Sequence, residues 1–234
     1  RRLPLAVRGI DNVGSLGFIT AISARGDQTC VLNTTSRVAC WGANASGQLG
    51  DGTTTGRRSP AYVKGIGGAG VLEAATAISV GGAHVCALIG TAPTSAVVCW
   101  GLNSSRQLGD GTAYRRTTPV TVLTSLVSSL TGASSIAAGG ASTCAVVSGG
   151  VRCWGSDASG QLGNSSAPGS IYPVTVTGIG GLGTLTGVSA IAASASSTYA
   201  LVGNSVLSWG ANYNGQLGNN SLTSRLSPIA ALGF

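Results

Sequence analysis

The residues of this sequence best suited to covalent chemistry are six cysteines that form three pairs. Members of a pair lie 9 to 13 residues apart, and the second member always directly precedes a tryptophan. If paired residues face each other on antiparallel strands, their Cα atoms lie about 4.5–5.5 Å apart, close enough for a disulfide. Zinc ligands usually occur as C-x-x-C or as cysteine with histidine, and neither pattern is present. The predicted disulfides join Cys30 with Cys40, Cys86 with Cys99, and Cys144 with Cys153.

The remaining reactive side chains form no catalytic pattern. His84 is the only histidine, and it is interpreted as a structural residue between a turn and a strand. No phosphate-binding Gly-x-x-x-x-Gly-Lys segment and no calcium loop with alternating acids is present. The six acids are scattered along the chain: Asp11, Asp27, Asp51, Glu73, Asp110 and Asp157. We therefore expect a non-enzymatic protein with no catalytic residue, cofactor or metal.

Composition narrows the class of protein. Of 234 residues, 38 are glycine and only 8% are charged, as in chains rich in strands and turns. The net charge of +7 comes from scattered residues, whereas nucleic-acid binding needs a clustered basic surface, so no nucleic-acid partner is expected. Polar residues interrupt the uncharged stretches every few positions, so no membrane insertion is expected either. The chain contains no methionine, which indicates a processed form or a fragment.

A repeat organises the whole chain. Each of the four tryptophans is followed by Gly, by Leu eight residues on, by Gly again, and by Pro nineteen residues on, with a period of 54 to 59 residues. An isoleucine also stands eight residues before the first cysteine of each pair. Invariant spacing indicates structural roles, with Trp and Leu in the core between repeats. These structural residues are Trp41, Trp100, Trp154 and Trp209 with Leu49, Leu108, Leu162 and Leu217.

Each repeat is predicted to form four short antiparallel strands, which is the blade of a β-propeller. In the second repeat they are Ala77 to Val80, Val85 to Ile89, a strand ending at Cys-Trp-Gly, and Val120 to Leu123. The proline nineteen residues after the tryptophan is expected to start this fourth strand. The N-terminus is predicted to supply the last strand of a preceding blade, Leu5 to Gly9. The expected units of this single all-β array are 1–9, 10–66 (blade 1), 67–123 (blade 2), 124–178 (blade 3) and 179–234 (blade 4).

The strings CWGANASGQLGDG, CWGLNSSRQLGDG, CWGSDASGQLGNS and SWGANYNGQLGNN resemble the RCC1 (regulator of chromosome condensation) repeat, as do ISVGGAHVCAL and IAAGGASTCAV. The resemblance covers essentially the whole chain and implies an RCC1-type β-propeller. The best-known rings of that family have seven blades, so four units imply an open arc, a small ring or a fragment. Family members include exchange factors for a small GTPase, but no exchange-factor loop maps onto this chain.

The fourth repeat supports the disulfide prediction, because both cysteine positions change together, to Tyr199 and Ser208. Regular disulfides indicate an oxidising compartment, so an extracellular or cell-surface protein is expected. Five N-x-Ser/Thr triplets are candidate glycosylation sites: Asn33, Asn44, Asn103, Asn164 and Asn219.

Three functions remain in view. An open arc exposes apolar blade faces at both ends, which favours a structural protein that assembles with itself into a filament or a ring. The alternative is an extracellular module that binds carbohydrate or a surface protein, as an adhesin or lectin does, through loops such as Asp51 to Arg58 and Asp110 to Arg116. Closure into a four-blade ring, with Leu5 to Gly9 as a clasp, is also open. An exchange factor is disfavoured by the expected compartment.

Overall fold

The protein is described from a computed structural model that covers residue 3 and residues 5–231. Its architecture is nearly all β, as predicted, with four four-stranded antiparallel sheets in which each strand pairs with its neighbours in the chain. Blade 1 contains β1 Ile19–Arg25, β2 Gln28–Asn33, β3 Val38–Gly42 and β4 Arg57–Tyr62. Blade 2 contains β5 Ala75–Val80, β6 His84–Ile89, β7 Ala96–Gly101 and β8 Arg116–Thr121. A short hairpin follows, β9 Leu123–Ser125 with β10 Ser128–Ser129.

The last two blades repeat the plan. Blade 3 contains β11 Ala133–Ala138, β12 Ser142–Val147, β13 Gly150–Gly155 and β14 Ser170–Thr175. Blade 4 contains β15 Val188–Ala193, β16 Ser197–Val202, β17 Ser205–Gly210 and β18 Arg225–Ala230. Single 3-10 turns lie in the connectors, at Ile10–Asn12, Ile66–Gly68 and Ile179–Gly181.

Consecutive blades pack face to face, with their first strands side by side in the order β1, β5, β11 and β15. Three apolar cores fill the three interfaces between consecutive blades, which we call joints. Each core combines the cysteine pair and the repeat Leu of one blade with the Trp of the next, for example Cys30, Leu49 and Trp100. The chain therefore has a core at every joint rather than one at its centre, as stacked repeats do.

The first-strand turns set the closest approach between blades. The backbone N–H of Gly82 donates to the Gly139 carbonyl at 3.0 Å, and Gly140 N–H donates to the Ala195 carbonyl at 3.0 Å. A Cβ at Gly82 would collide with the carbonyl oxygen of Gly140, and one at Gly140 with that of Ala195. Glycine is therefore required wherever another blade stacks closely on the turn.

The repeat proline lies inside the fourth strand, not at its start as expected. Pro60 is the fourth residue of β4, and Pro119 holds the same place in β8. The pairing of β3 with β4 skips from Cys40 opposite Ala61 to Gly42 opposite Arg57, so the proline sits at a bulge across from the tryptophan. A fourth strand is an edge, where a missing N–H breaks no ladder bond.

The segment from Leu5 to Gly9, predicted to be the last strand of a preceding blade, pairs with no other strand among the described residues. In that segment only Arg8 makes a β-bridge, with Ser15, and the same isolated bridge recurs after a fourth strand at Lys64 with Val71. Arg8 thus corresponds to Lys64 in the connector beyond a fourth strand, whereas Leu5 aligns with Ala61 inside β4. Arg1, Arg2 and Pro4 lie outside the described residues. Among the described residues β18 pairs with β17 alone, so no N-terminal clasp closes the array.

Candidate functional site: blade joints and end faces

The three predicted disulfides are confirmed. In each of blades 1 to 3 the cysteines face each other directly across the second and third strands, as Cys30 does Cys40, with Cα atoms 4.1 Å apart. All six are fully buried and point toward the next blade. Each disulfide thus cross-links the second and third strands of its blade, which pack against the next blade.

Blade 4 replaces the disulfide by two hydrogen bonds. Tyr199 lies opposite Ser208 in the same register. The Ser208 hydroxyl donates to the Leu217 carbonyl at 2.8 Å, and the Tyr199 hydroxyl donates to the Gln216 carbonyl at 3.1 Å. Both acceptors belong to the Gly-Gln-Leu-Gly turn of blade 4 itself, so this pair ties the two strands to their own turn.

One hydrogen bond recurs at every joint. The indole N–H of Trp100 donates to the Gln48 carbonyl of the preceding blade at 3.0 Å. Trp154 does the same to Gln107 at 2.9 Å, and Trp209 to Gln161 at 3.0 Å. These three indoles are fully buried, so the bond is shielded from water. The Gln of the Gly-Gln-Leu-Gly turn therefore joins blades through its backbone oxygen.

Two joints add a second donor. Thr143 lies opposite Trp154 in its sheet, and its hydroxyl donates to the Gln107 carbonyl at 2.9 Å. Thr198 donates likewise to Gln161 at 3.0 Å. Val85 occupies this place in blade 2, so the Gln48 carbonyl has only the Trp100 indole as a donor among the described residues. A glutamine carbonyl at a joint thus accommodates either one or two donors.

His84 lies at the blade 2–blade 3 joint and stays neutral. It is fully buried, and its Nε2 lies 2.9 Å from the Thr143 hydroxyl. Because that hydroxyl donates to Gln107, it must accept from Nε2–H. Burial, reinforced by the positive charge of Arg25, lowers the pKa of His84 to about 3. The imidazole is therefore a structural hydrogen-bond donor at neutral pH.

The N-terminal face of blade 1 carries donors that have no acceptor among the described residues. Trp41 is only partly buried, and no hydrogen bond of its indole is found among the described residues, unlike the other three tryptophans. Thr29, opposite Trp41 in the sheet, is also partly exposed. Ile22 is 69% exposed, whereas its counterpart Ile136 is 9% exposed. Together with Phe18, these side chains form what we call the N-terminal end face.

The opposite face of blade 4 carries the matching acceptor. The Gln216 carbonyl receives only the Tyr199 hydroxyl among the described residues. Leu201 is 39% exposed, whereas Leu88 at the same place in blade 2 is 4% exposed. Leu201, Tyr199 and Val206 line an apolar hollow of about 290 Å³. We call these residues, with Gln216, the C-terminal end face.

The polar loops proposed for ligand binding are largely occupied by internal bonds. The amide nitrogen of Asn44 donates to the Asp51 carboxylate at 3.2 Å and to the carbonyls of Thr53 and Thr55 at 3.1 Å. Burial alone would raise the pKa of Asp51, but hydrogen bonds from Arg57 and Thr53 outweigh it and hold that pKa below its ordinary value. Blade 2 repeats the arrangement with Asn103, Asp110 and Arg116. These loops stabilise their own blades.

Blade 3 departs from this arrangement. Asp157 stands where the other blades have asparagine, and it is 2% exposed. Its Oδ1 accepts the Leu162 N–H at 2.8 Å, but its Oδ2 has no hydrogen-bond partner among the described residues. Burial raises the pKa of Asp157 to about 6, against the opposing effect of the Leu162 N–H.

A channel runs between the first strands. Arg25 extends across it, and its guanidinium donates to the carbonyls of Ala138 at 3.3 Å and Ala193 at 3.5 Å, in blades 3 and 4. The hollow beside it has a volume of about 430 Å³. Arg25 occupies the position of Gly81 and thereby links blade 1 to blades that it does not stack against.

The candidate glycosylation sites divide into two groups. Asn44 and Asn103 are buried, and the amide nitrogens that a glycan would modify are already donors. Asn33, Asn164 and Asn219 are partly exposed. These three are the candidates that the fold leaves partly accessible.

Within the described part of the chain, no group of three or more His, Cys, Asp or Glu side chains is arranged to hold a metal. None of its helices has the length and apolar character needed to cross a bilayer.

Sequence reasoning missed several residues of the joints. Gln48, Gln107 and Gln161 act through backbone oxygens, for which the side chain gives no signal. Asp157 could have been found, because aligning the repeats places it on an asparagine position.

Comparisons with known proteins agree with this geometry. The model of the Regulator of chromosome condensation (RCC1) repeat matches residues 37–88 and 96–146. The human probable E3 ubiquitin-protein ligase HERC4 is 34% identical over 99% of this chain and 21% of its own length. The chain thus spans about one fifth of that relative.

Two solved structures share the fold. The crystal structure of human WBSCR16 has a TM-score of 0.75 at 24% identity, over 92% of this chain and 53% of that chain. Yeast RCC1 (Prp20), solved with Kap60 bound, has a TM-score of 0.69 at 22% identity, over 92% of this chain and 50% of that chain. The repeat match shows that residues 37–88 and 96–146 are RCC1 repeats, and the shared fold, together with the recurring Trp–Gln joint, shows that the four sheets are RCC1-type propeller blades.

Proposed function

We propose that this RCC1-repeat chain is a non-enzymatic, extracellular structural protein that binds a second copy of itself head to tail. The observation that carries the proposal is that the two end faces hold complementary halves of one joint. The N-terminal end face has the donors Trp41 and Thr29, and the C-terminal end face has the acceptor Gln216. Unlike halves on one molecule produce a heterologous contact, which propagates from copy to copy.

The chemistry of the two halves fits. The Gln107 and Gln161 carbonyls each accept two donors, a tryptophan and a threonine. The Gln216 carbonyl has one donor, the Tyr199 hydroxyl, so it keeps one lone pair for the Trp41 indole of a neighbouring copy. The same contact would cover Ile22 and Leu201, which are exposed only because no blade stacks on them.

The first-strand turn of blade 4 favours a filament over a closed ring. Gly81-Gly82 and Gly139-Gly140 leave room for the next blade, whereas blade 4 has Ser194-Ala195 at this place. A Cβ at Gly82 or Gly140 would collide with the neighbouring turn, so the side chains of Ser194 and Ala195 require a wider joint near the channel. Because the contact between copies is wider than the joints within a copy, it turns the next copy away from the path of a closed ring. Repetition of such a contact produces a filament.

The extracellular location is supported by the three buried disulfides, since such bonds persist in oxidising compartments. A protein partner is supported by the yeast relative, which was solved with a protein bound to it. Cell fractionation with an antibody to the chain tests the location. Recovery from the cytosol with reduced thiols would contradict it.

Size measurement with two face variants tests self-assembly. Ile22→Asp places a charge on the N-terminal end face, and Leu201→Asp places one on the C-terminal end face. Both side chains are exposed, so the variants should fold. By sedimentation velocity, wild-type protein should form a series of oligomers, and each variant alone should be monomeric.

Mixing the variants distinguishes the mode of contact. Each variant retains one intact face, so the mixture should form a one-to-one dimer and nothing larger. The matched control is Val127→Asp, on a 93% exposed residue in the blade 3 connector, which should assemble like wild type. A wild-type monomer at all concentrations, or a mixture that stays monomeric, would refute head-to-tail assembly.

A hollow at the N-terminal end face favours the second candidate function, binding of carbohydrate. It has a volume of about 510 Å³ and is lined by aromatic and polar side chains, among them Phe18, Tyr62, Arg37 and Asn33. Aromatic walls with a few polar groups are typical of small-ligand sites. A glycan array without binding to the monomeric Leu201→Asp variant, whose hollow stays open, would rule this function out.

A further inference from the structure

In the polar loop of blade 3, the acidic residue and the amide residue stand in the reverse order to blades 1 and 2. Blade 1 has Asn44 followed seven residues later by Asp51, whereas blade 3 has Asp157 followed by Asn164. Asp157 Oδ1 accepts the Leu162 N–H at 2.8 Å, just as Asn44 Oδ1 accepts the Leu49 N–H at 2.9 Å. The second carboxyl oxygen of Asp157 therefore takes the direction of an asparagine amide nitrogen.

That direction needs a hydrogen-bond donor. In blade 4 the amide nitrogen of Asn212 lies 3.0 Å from Asn219 Oδ1, 2.8 Å from the Ser221 carbonyl and 3.2 Å from the Thr223 carbonyl. Asn44 in blade 1 is likewise surrounded by oxygens. The acceptors that surround the amide nitrogen in blades 1 and 4 offer no hydrogen to a carboxylate oxygen, and Asp157 Oδ2 accordingly has no partner among the described residues.

No cation among the described residues forms an ion pair with Asp157. Arg57 and Arg116 neutralise the acids of blades 1 and 2, but the equivalent residue in blade 3 is Ser170. Two charged residues belong to the elements packed around Asp157. Arg106 of blade 2 lines the same 350 Å³ hollow, and Arg225 of blade 4 lies with its backbone against the turn at Gly160. Neither contributes to the pKa of Asp157, which burial alone raises to about 6.

We propose that Asp157 takes up a proton in mildly acidic solution and that its carboxyl O–H then makes the loop hydrogen bond that an asparagine amide makes in the other blades. The loop at residues 164–169 is thus less tightly held at neutral pH and becomes ordered as the pH falls. The polar loop of blade 3 thus responds to acid in the direction opposite to that of the equivalent loops in blades 1 and 2.

The direction in which blade 3 stability changes with pH follows from proton linkage. A native pKa of about 6 lies above the ordinary value of 3.8, so the folded state binds the proton more tightly than the unfolded state. Blade 3 therefore gains stability as the pH falls from about 7 to about 4. Asp51 and Asp110 have lowered pKa values, so their contribution is present at neutral pH and is lost only as the pH falls below 3.8.

Hydrogen exchange resolved by blade, together with carboxyl NMR, tests the proposal. Between pH 7.5 and pH 4.5, protection of the blade 3 loop in wild type should rise by up to about 25-fold after correction for intrinsic exchange, the factor that pKa values of about 6 and 3.8 give over this pH range. Asp157→Asn restores the residue that three blades already use, so it should fold. Its loop should be well protected at both pH values.

The matched control is Asn212→Asp, which recreates the acid–amide pair beside Asn219 and should make blade 4 acid-dependent in the same way. A carboxyl signal of Asp157 that titrates at pH 4 or below would overturn the proposal. So would Ca²⁺ that restores protection at pH 7.5 in wild type but not in Asp157→Asn, because the occupant would then be a metal cation rather than a proton.

Discussion

The hydrogen bonds between tryptophan and the glutamine carbonyl predict different losses of stability when different tryptophans are replaced by phenylalanine. Trp100→Phe keeps an aromatic ring in the joint but removes the N–H that lies 3.0 Å from the Gln48 carbonyl. That carbonyl has no second donor among the described residues, because Val85 stands where other blades have threonine. Leaving a buried acceptor unsatisfied costs about 1–3 kcal/mol, in addition to the lost packing.

Trp154→Phe is the matched comparison, since Thr143 still donates to Gln107 at 2.9 Å. Its cost should be lower than that of Trp100→Phe by about 1–2 kcal/mol, the difference between an unsatisfied and a satisfied carbonyl. Trp41→Phe removes an indole N–H that has no acceptor among the described residues, and should change the unfolding free energy of the monomer least. Adding Val85→Thr to Trp100→Phe should recover part of the loss by supplying a new donor.

Urea unfolding followed by far-ultraviolet circular dichroism, with hydrogen exchange to locate the change, measures this series. Exchange is needed because stacked repeats can open one at a time. Protection should fall at the blade 1–blade 2 joint in Trp100→Phe. Equal losses for Trp100→Phe and Trp154→Phe, or no rescue by Val85→Thr, would refute the assignment of one and two donors.

Two further predictions concern buried groups in the joints. Replacing Cys86 and Cys99 together by serine should destabilise the chain by about 3 kcal/mol, because the disulfide no longer restricts a short loop in the unfolded state. Thermal unfolding of the oxidised protein measures this loss, and an unchanged melting temperature would contradict it. The His84 ring should show no protonation in NMR between pH 8 and pH 5, because its pKa is lowered to about 3, and a midpoint near 6.5 would show that the imidazole is not buried at the joint.

Much of the fold could be predicted because the repeat itself is a structural signal. The fixed spacing of Trp and Leu indicates that both pack between blades, where the Leu of one blade meets the Trp of the next. The simultaneous change of both cysteine positions to Tyr199 and Ser208 indicates cross-strand neighbours. The site was harder to predict, because the blades are joined by backbone carbonyls that any residue carries. The bulge that moves Pro60 into the middle of β4 likewise depends on strand pairing, which spacing does not reveal.

The polar loops show where composition misleads. Asn44 and Asp51 suggested a ligand-binding loop and a glycan acceptor, yet both are buried and bonded to each other. Polar residues in a tight loop satisfy the backbone before they are available to a partner. Asp157 is informative because it breaks this internal pattern.

Cryo-electron microscopy of the purified chain at micromolar concentration tests head-to-tail assembly by direct imaging. We expect copies joined end to end, with the Trp41 indole of one copy against the Gln216 carbonyl of the next. Single four-blade arcs with both end faces open to solvent would contradict it.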